Sequence, residues 1–177
     1  MSLEIRATSV APDPVPMIVP KAEEQYLRVL HVNDSTDDQV LFQAACRKAQ
    51  IPFNWHVTDS AEKGISYLKT LIEQARNVPV CWPDLILLDI VMPLVSGFEV
   101  LKFIRATPDL KHIPVVIFTG HPHPGHREES ARLGANLFLM KPGDFQQIVD
   151  LAKSLYQLMK ELKGGSPPMP PAAPATN

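Results

Sequence analysis

The segment LILLDIVMP, at residues 85–93, decides the fold of this chain. Its first four residues are all Leu or Ile, which predicts a short strand. Asp89 ends this apolar run, and Pro93 interrupts the apolar residues after it. The segment is too short to cross a bilayer, which would need roughly 20 apolar residues. It therefore predicts one strand of a globular domain, with a carboxylate at the end of the strand.

Similar apolar runs lie on both sides of this segment and alternate with helical patterns. Each run is 4–6 residues long and rich in Val, Ile, Leu or Phe. Strict alternation of strands and helices implies a parallel sheet with helices on both faces. The predicted strands are residues 27–32, 53–57, 85–88, 115–118 and 137–140, and the predicted helices are residues 37–49, 61–76, 97–106, 125–133 and 145–162.

Proline marks the limits of this alternating region. Half of the 18 prolines lie in two flanking segments, residues 1–25 and 164–177. Such composition favours extended or disordered chain, because proline donates no backbone hydrogen bond and there is little apolar surface to bury. We expect a Pro-rich N-terminal extension (1–25), one folded domain (26–163) and a Pro-rich disordered tail (164–177).

Composition excludes several classes of function. The chain is 45% hydrophobic and 20% charged, with a formal net charge of -2. A nucleic-acid-binding domain usually has a basic excess, so DNA is not an expected partner. No segment resembles a signal peptide or a membrane span, and Cys46 and Cys81 have no paired spacing. We expect a cytoplasmic protein with reduced thiols and no membrane insertion.

Polar residues follow four of the predicted strands. Asn33 and Asp34 follow the first, and Asp89, Thr119 and Lys141 follow the third, fourth and fifth. The carboxyl ends of parallel strands share one edge of the sheet, which is where ligands bind. Taken singly, each residue has an ordinary alternative: an Asp can cap a helix, a Thr can close a turn, and a Lys can be solvated. The joint pattern predicts one polar site.

Three motifs in order carry a family resemblance. They are LLDIVMP at residues 87–93 with Gly97 beyond it, VIFTG at residues 116–120, and GANLFLMKP at residues 134–142. Together they resemble the receiver domain of single-domain, chemotaxis-regulator-like response regulators in two-component systems. The resemblance covers residues 26–163. It implies a flavodoxin-like, doubly wound α/β fold with a five-stranded parallel sheet in the order 2-1-3-4-5 and helices on both faces.

The resemblance also implies a function. Asp89 would accept a phosphoryl group from a sensor histidine kinase or a phosphotransfer protein, and Lys141 and Thr119 would contact the phosphoryl oxygens. The protein would catalyse only its own phosphorylation and dephosphorylation. The Lys141–Pro142 bond would be cis, and Thr119 and Phe138 would be the switch residues.

Magnesium is the cofactor that the resemblance implies. Mg²⁺ prefers hard oxygen ligands and neutralises charge on a phosphoryl group. The carboxylates of Asp34 and Asp89 and the backbone carbonyl of Val91 would bind the ion, and Asn33 would orient a metal-bound water.

The sequence departs from the family pattern at three places. Asn33 replaces the first of two acids, which predicts weaker Mg²⁺ binding. Val91 has no polar group to position a hydrolytic water, so we expect a long-lived phospho-Asp89. Residues 121–126 contain three of the six histidines. Their spacing fits no standard zinc pattern, so a solvated loop is favoured over a transition-metal site.

The sequence also bears on how a signal would leave the domain. Only 14 residues follow Lys163, so we expect no output domain and signalling by docking to an unidentified protein. The fourth helix, fifth strand and fifth helix would form the docking or homodimer face.

The main alternative function is that of a pseudo-receiver, which binds partners without phosphorylation. An aspartyl phosphatase is disfavoured because Val91 stands where a second Asp is needed, and no phosphate-binding loop supports a flavodoxin-like cofactor role.

Overall fold

The computed structural model describes residues 26–120 and 123–163, and this region contains the five predicted strands. The proposed Pro-rich segments, residues 1–25 and 164–177, lie outside the described residues. The predicted strand and helix limits agree with the structure to within one residue. The strands are β1 (Leu27–Val32), β2 (Phe53–Thr58), β3 (Leu85–Leu88), β4 (Val115–Thr119) and β5 (Leu137–Met140).

Helices alternate with the strands, and serine side chains begin three of them. The Oγ atoms of Ser35, Ser60 and Ser96 accept backbone hydrogen bonds from the first turns of their helices, which satisfies donors that have no partner within the helix. The helices are α1 (Thr36–Lys48), α2 (Ala61–Ala75), α3 (Gly97–Ala106), α4 (His126–Arg132) and α5 (Phe145–Lys163).

All pairs of neighbouring strands are parallel, and the sheet has the order β2-β1-β3-β4-β5. This confirms the predicted doubly wound fold. One hydrophobic core lies between the sheet and α1 and α5, and a second lies between the sheet and α2 and α3. β3 contributes alternate residues to both cores and is wholly buried, which explains why its sequence is apolar throughout. No helix in the described ranges is long and apolar enough to span a membrane.

A partly buried cluster of three charges ties the amino-terminal edge of the sheet to the end of α5. Asp84 precedes β3, and its side chain is 8% exposed. Arg28 of β1 donates to both carboxylate oxygens, from Nε at 3.0 Å and Nη2 at 2.9 Å, and Lys163 Nζ lies 2.8 Å from Oδ1. Burial alone would raise the pKa of Asp84, but hydrogen bonds from Arg28 and Lys163 lower it below its usual range.

An Asp84→Asn variant is expected to lose about 2 kcal/mol of unfolding free energy at neutral pH, because Arg28 and Lys163 lose their shared anion. The lowered pKa means that the carboxylate stabilises the fold above its unfolded pKa of about 4. This contribution is lost as the pH falls through the folded value. The difference between wild type and variant should therefore shrink in acid. Urea denaturation from neutral to acid pH measures it, with the exposed Asp150→Asn as control; a pH-independent difference would contradict the assignment.

Candidate functional site

The predicted site residues meet at the carboxyl-terminal edge of the sheet. The backbone N–H of Asp89 donates to Val32 of β1 at 2.9 Å, and that of Lys141 donates to Thr119 of β4 at 2.9 Å. Asn33 is bonded in the same way to Thr58 of β2, at 3.0 Å. These backbone hydrogen bonds extend the strand pairing beyond β1, β3 and β5, so residues distant in sequence are held side by side.

Asp89 lies at the centre of this edge and is nearly buried. Its side chain is 8% exposed, and its Oδ2 is 2.5 Å from the ammonium nitrogen of Lys141. Its Oδ1 accepts a hydrogen bond from the backbone N–H of Val91 at 3.1 Å. Asp89 and Lys141, which were expected to share one polar site, are thus in direct contact, and both carboxylate oxygens of Asp89 have a defined donor.

Lys141 has a second carboxylate partner that the sequence pattern did not reveal. Its Nζ is 2.8 Å from Oδ2 of Asp38, in the first turn of α1. Burial alone would raise the pKa of Asp38, but the hydrogen bond and charge of Lys141 lower it, with contributions from Asn33 and Ser35. Asp38 also lies beside the N-cap of α1, since its N–H donates to Ser35 Oγ at 3.3 Å. Helical side chains tilt toward the helix amino terminus, and this direction was the available signal that Asp38 faces the site.

The two residues after β1 have different environments. Asn33 is fully buried, and its Oδ1 accepts from the backbone N–H of Ser35 at 3.0 Å. Its Nδ2 has no hydrogen-bond partner in the described part of the chain. Asp34 is exposed, and within residues 26–120 and 123–163 its carboxylate has no hydrogen bond or ion pair. The amide oxygen of Asn33 is therefore already engaged, whereas the carboxylate of Asp34 is available.

Thr119 and Phe138 lie on one face of neighbouring strands. Thr119 is fully buried at the end of β4, and Phe138 is paired with Ile117 two residues earlier in that strand. Phe138 is partly buried against the second core, and the guanidinium carbon of Arg127 lies 4.9 Å from its ring centroid. The ring is thus held between the core and a cation of α4.

A buried histidine lies beneath the site but adds no charge at neutral pH. His31 of β1 is 1% exposed and packs against the rings of Phe42 and Trp55. Burial, followed by the charge of Lys141, lowers its pKa to about 4. His31 is therefore neutral at physiological pH, and the charges of the site come from Lys141 and the carboxylates around it.

The structure contradicts one expectation about the backbone that follows β5. The Lys141–Pro142 bond is trans, so the cis bond implied by the resemblance is wrong. The trans isomer is favoured by about 0.5–1 kcal/mol in X–Pro bonds, and Lys141 contacts Asp89 with the bond in this form.

The histidine-containing loop, residues 121–126, is described only in part, because His121 lies outside the described residues. Among the described residues, no group of three or more His, Cys, Asp or Glu side chains is arranged to hold a metal, and the ring centroids of His123 and His126 are 5.3 Å apart.

The chain is similar to known response regulators in sequence. The family model for the response regulator receiver domain matches residues 29–153. The two-component response regulator ORR1 of Oryza sativa subsp. japonica is 31% identical over 147 residues, which is 80% of this chain and 62% of ORR1. The polar-differentiation response regulator DivK of Brucella ovis is 38% identical over 72 residues, or 41% of this chain and 58% of DivK. The chain thus spans less than two thirds of these relatives.

Solved structures agree with this similarity. The phosphorylated cyanobacterial phytochrome response regulator RcpA is 28% identical with a TM-score of 0.66, and the comparison covers 82% of this chain and 99% of RcpA. The Mn²⁺-bound response regulator Rcp1 is 26% identical with a TM-score of 0.63, covering 81% of this chain and 99% of Rcp1. With the sheet order and the matched segment, these likenesses show that the chain belongs to the response regulator receiver domain family.

Proposed function

We propose that this receiver domain accepts a phosphoryl group on Asp89 from a sensor histidine kinase or a phosphotransfer protein. The observation that carries the proposal is the pairing of a strand-end carboxylate with a largely buried ammonium group. Lys141 Nζ lies 2.5 Å from Asp89 Oδ2, at the edge of the sheet where α/β proteins bind ligands. A carboxylate with a cation beside it can attack phosphorus and keep the incoming negative charge neutralised.

In the proposed reaction, a carboxylate oxygen of Asp89 forms a bond to phosphorus as the phosphorus–nitrogen bond of the donor imidazole breaks. The donor nitrogen takes a proton as it leaves. Lys141 needs only a small movement to exchange the carboxylate for a phosphoryl oxygen. Thr119, on the neighbouring strand end, would donate its hydroxyl to another oxygen. The domain thereby acts as a signalling module that catalyses only its own phosphorylation and dephosphorylation.

The donor set fits a divalent cation. Asp34 and Asp89 offer carboxylate oxygens and Val91 offers its backbone carbonyl, and Mg²⁺ prefers such hard ligands. A similar protein, Rcp1, has a structure in a Mn²⁺-bound form. Bound Mg²⁺ would neutralise charge on the phosphoryl oxygens. A role for Asn33 through water remains a prediction, because its Oδ1 already accepts from Ser35.

Phosphorylation would be communicated through Thr119 and Phe138. Movement of the Thr119 hydroxyl toward the phosphoryl group would leave space that the ring of Phe138 could enter, since both side chains face the same side of the sheet. Burying this ring further requires no polar partner. The rearrangement would change the surface of α4, β5 and α5.

The α4-β5-α5 surface is the proposed site of output, by docking to an unidentified protein or by forming a homodimer. Leu137 and Met140 of β5 are exposed there, whereas Leu139 and Tyr156 are partly buried against the first core. Neither DNA nor a membrane is part of the proposal, and a cytoplasmic location is retained as an expectation.

Treatment with a small phosphodonor and Mg²⁺ tests the function. Wild type should gain the mass of one phosphoryl group, and Asp89→Asn should gain none because the amide is not nucleophilic. Asp109→Asn, which changes an acid between α3 and β4, is the control and should be labelled normally. Wild type that stays unmodified by phosphodonor and by candidate kinases would instead support the alternative, a pseudo-receiver.

The phosphorylated state is predicted to be long-lived. Val91, two residues after the acceptor, is 46% exposed at the mouth of the site and has no group that could orient a water for hydrolysis. Val91→Asn should shorten the half-life of phospho-Asp89 several-fold. The loss of the phosphoryl mass with time after removal of the donor measures this; a wild-type half-life of seconds would contradict it.

A further inference from the structure

The ammonium of Lys141 lies between two carboxylates from different parts of the fold. It is 2.5 Å from Asp89 Oδ2 and 2.8 Å from Asp38 Oδ2, and the Lys141 side chain is 12% exposed. The contact with Asp38 joins residues 103 positions apart in sequence. A lysine this buried is held by both anions, so the position of its nitrogen relative to Asp89 depends on Asp38.

The environment of Asp38 places it inside the site and not merely at a helix end. Its Oδ2 lies 2.8 Å from Lys141 Nζ, and its backbone N–H donates to Ser35 Oγ at 3.3 Å. Asn33 is uncharged and fully buried, and its Nδ2 has no hydrogen-bond partner among the described residues. Asn33 therefore contributes no charge to this part of the site, where the negative charge comes from Asp34 and Asp38.

The net charge of the site supports a contribution of Asp38 to cation binding. Three carboxylates, those of Asp34, Asp38 and Asp89, and the ammonium of Lys141 leave two negative charges, which match a divalent cation. Without Asp38 one negative charge would remain, and Lys141 would be paired with Asp89 alone. Both changes oppose cation binding at Asp89, because they reduce the favourable potential and strengthen a competing ion pair.

We propose that Asp38 is a positioning residue of the phosphorylation site, which holds the ammonium of Lys141 and supplies the negative charge that Asn33 lacks. This inference rests on the proposed role of Asp89 as phosphoacceptor. Asp38 does not contact the phosphoryl group itself; it acts through Lys141 and through its charge.

An ordinary alternative is that Asp38 stabilises only the amino terminus of α1. Acidic residues in the first turn of a helix interact favourably with the helix dipole. Asp37 is in the same turn and is exposed, with no side-chain partner in the described part of the chain. Asp37→Asn therefore removes the same charge from the same turn without altering Lys141, and it is the matched control for Asp38→Asn.

The test measures Mn²⁺ binding to the unphosphorylated protein by electron paramagnetic resonance, and the rate of labelling by a small phosphodonor. Asp38→Asn should weaken Mn²⁺ binding about tenfold and slow labelling, whereas Asp37→Asn should match wild type. The double variant Asn33→Asp/Asp38→Asn restores the lost negative charge at the position next to Asp34, and its Mn²⁺ affinity should return to within about twofold of wild type. Thermal unfolding of each variant is recorded to establish that the variant is folded.

The outcomes separate this inference from the proposed function. If Asp38→Asn binds Mn²⁺ like Asp37→Asn, or if the double variant folds but does not regain affinity, the role of Asp38 is overturned. If wild type is not labelled by any phosphodonor, the proposed function fails, while the Mn²⁺ measurements still decide whether Asp38 sets the charge of the site. A labelled wild type with an unaffected Asp38→Asn overturns only the inference.

Discussion

Replacement of Lys141 by Met is expected to slow phosphorylation of Asp89 by about a hundredfold, as for the loss of a buried charge-stabilising donor in an enzyme site. Met has a similar length but no ammonium, so the group that lies 2.5 Å from Asp89 Oδ2 is removed with little change in volume. The charge that develops on the phosphoryl oxygens then has no cation from the protein. A time course of labelling by a small phosphodonor, followed by intact mass, measures the effect.

The Lys141→Met variant should gain affinity for metal, although its rate of phosphorylation falls. Asp38 and Asp89 both lose their cation in Lys141→Met, so Mn²⁺ should bind more tightly even though labelling is slow. Lys153→Met is the control, since Lys153 pairs only with the exposed Asp150 on α5 among the described residues. Labelling of Lys141→Met at the wild-type rate would show that the ion pair with Asp89 has no part in the transfer.

The backbone of the site was predictable from the sequence for a physical reason. Each apolar run ends where its strand leaves the core, and parallel strands end at one edge. Asp89, Thr119 and Lys141 were therefore placed together by three strand ends, without knowledge of any side-chain contact. The helix limits followed from the same local information, and the structure shows that Ser35 and Ser96 cap α1 and α3.

The remaining features depend on tertiary contacts that no local pattern contains. The pairing of Asp38 with Lys141 requires the docking of α1 beside the end of β5, and an acid in the first turn of a helix is already explained by the helix dipole. The sequence showed that Asn33 lacks a charge, but not that its Oδ1 is engaged by Ser35. The isomer of the Lys141–Pro142 bond was wrongly predicted, because cis and trans differ by about 0.5–1 kcal/mol and surrounding contacts decide between them.

Gly97 shows how the fold and the proposed phosphorylation site depend on one close contact. It is the first residue of α3, and its N–H donates to the carbonyl of Ile90 at 3.2 Å. A methyl group added to its Cα would overlap the backbone carbonyl oxygen of Asp89 and would lie 2.9 Å from both the carbonyl carbon of Asp89 and the Cα of Ile90. These are backbone atoms of the segment after β3, which no side-chain rotation can move away.

Gly97→Ala is therefore expected to lower the unfolding free energy by about 3 kcal/mol, at the upper end of the usual cost of overpacking. The clash is relieved only if α3 or the segment after β3 moves, and either movement displaces the backbone that holds Asp89 beside Lys141. Labelling of Asp89 should fall together with stability. Urea denaturation measures the first effect and phosphodonor labelling the second. Gly143→Ala is the control, because a methyl group there would meet no atom within 4 Å. Wild-type stability in Gly97→Ala would mean that α3 is free to shift, and that the close packing of α3 on the acceptor segment does not fix Asp89.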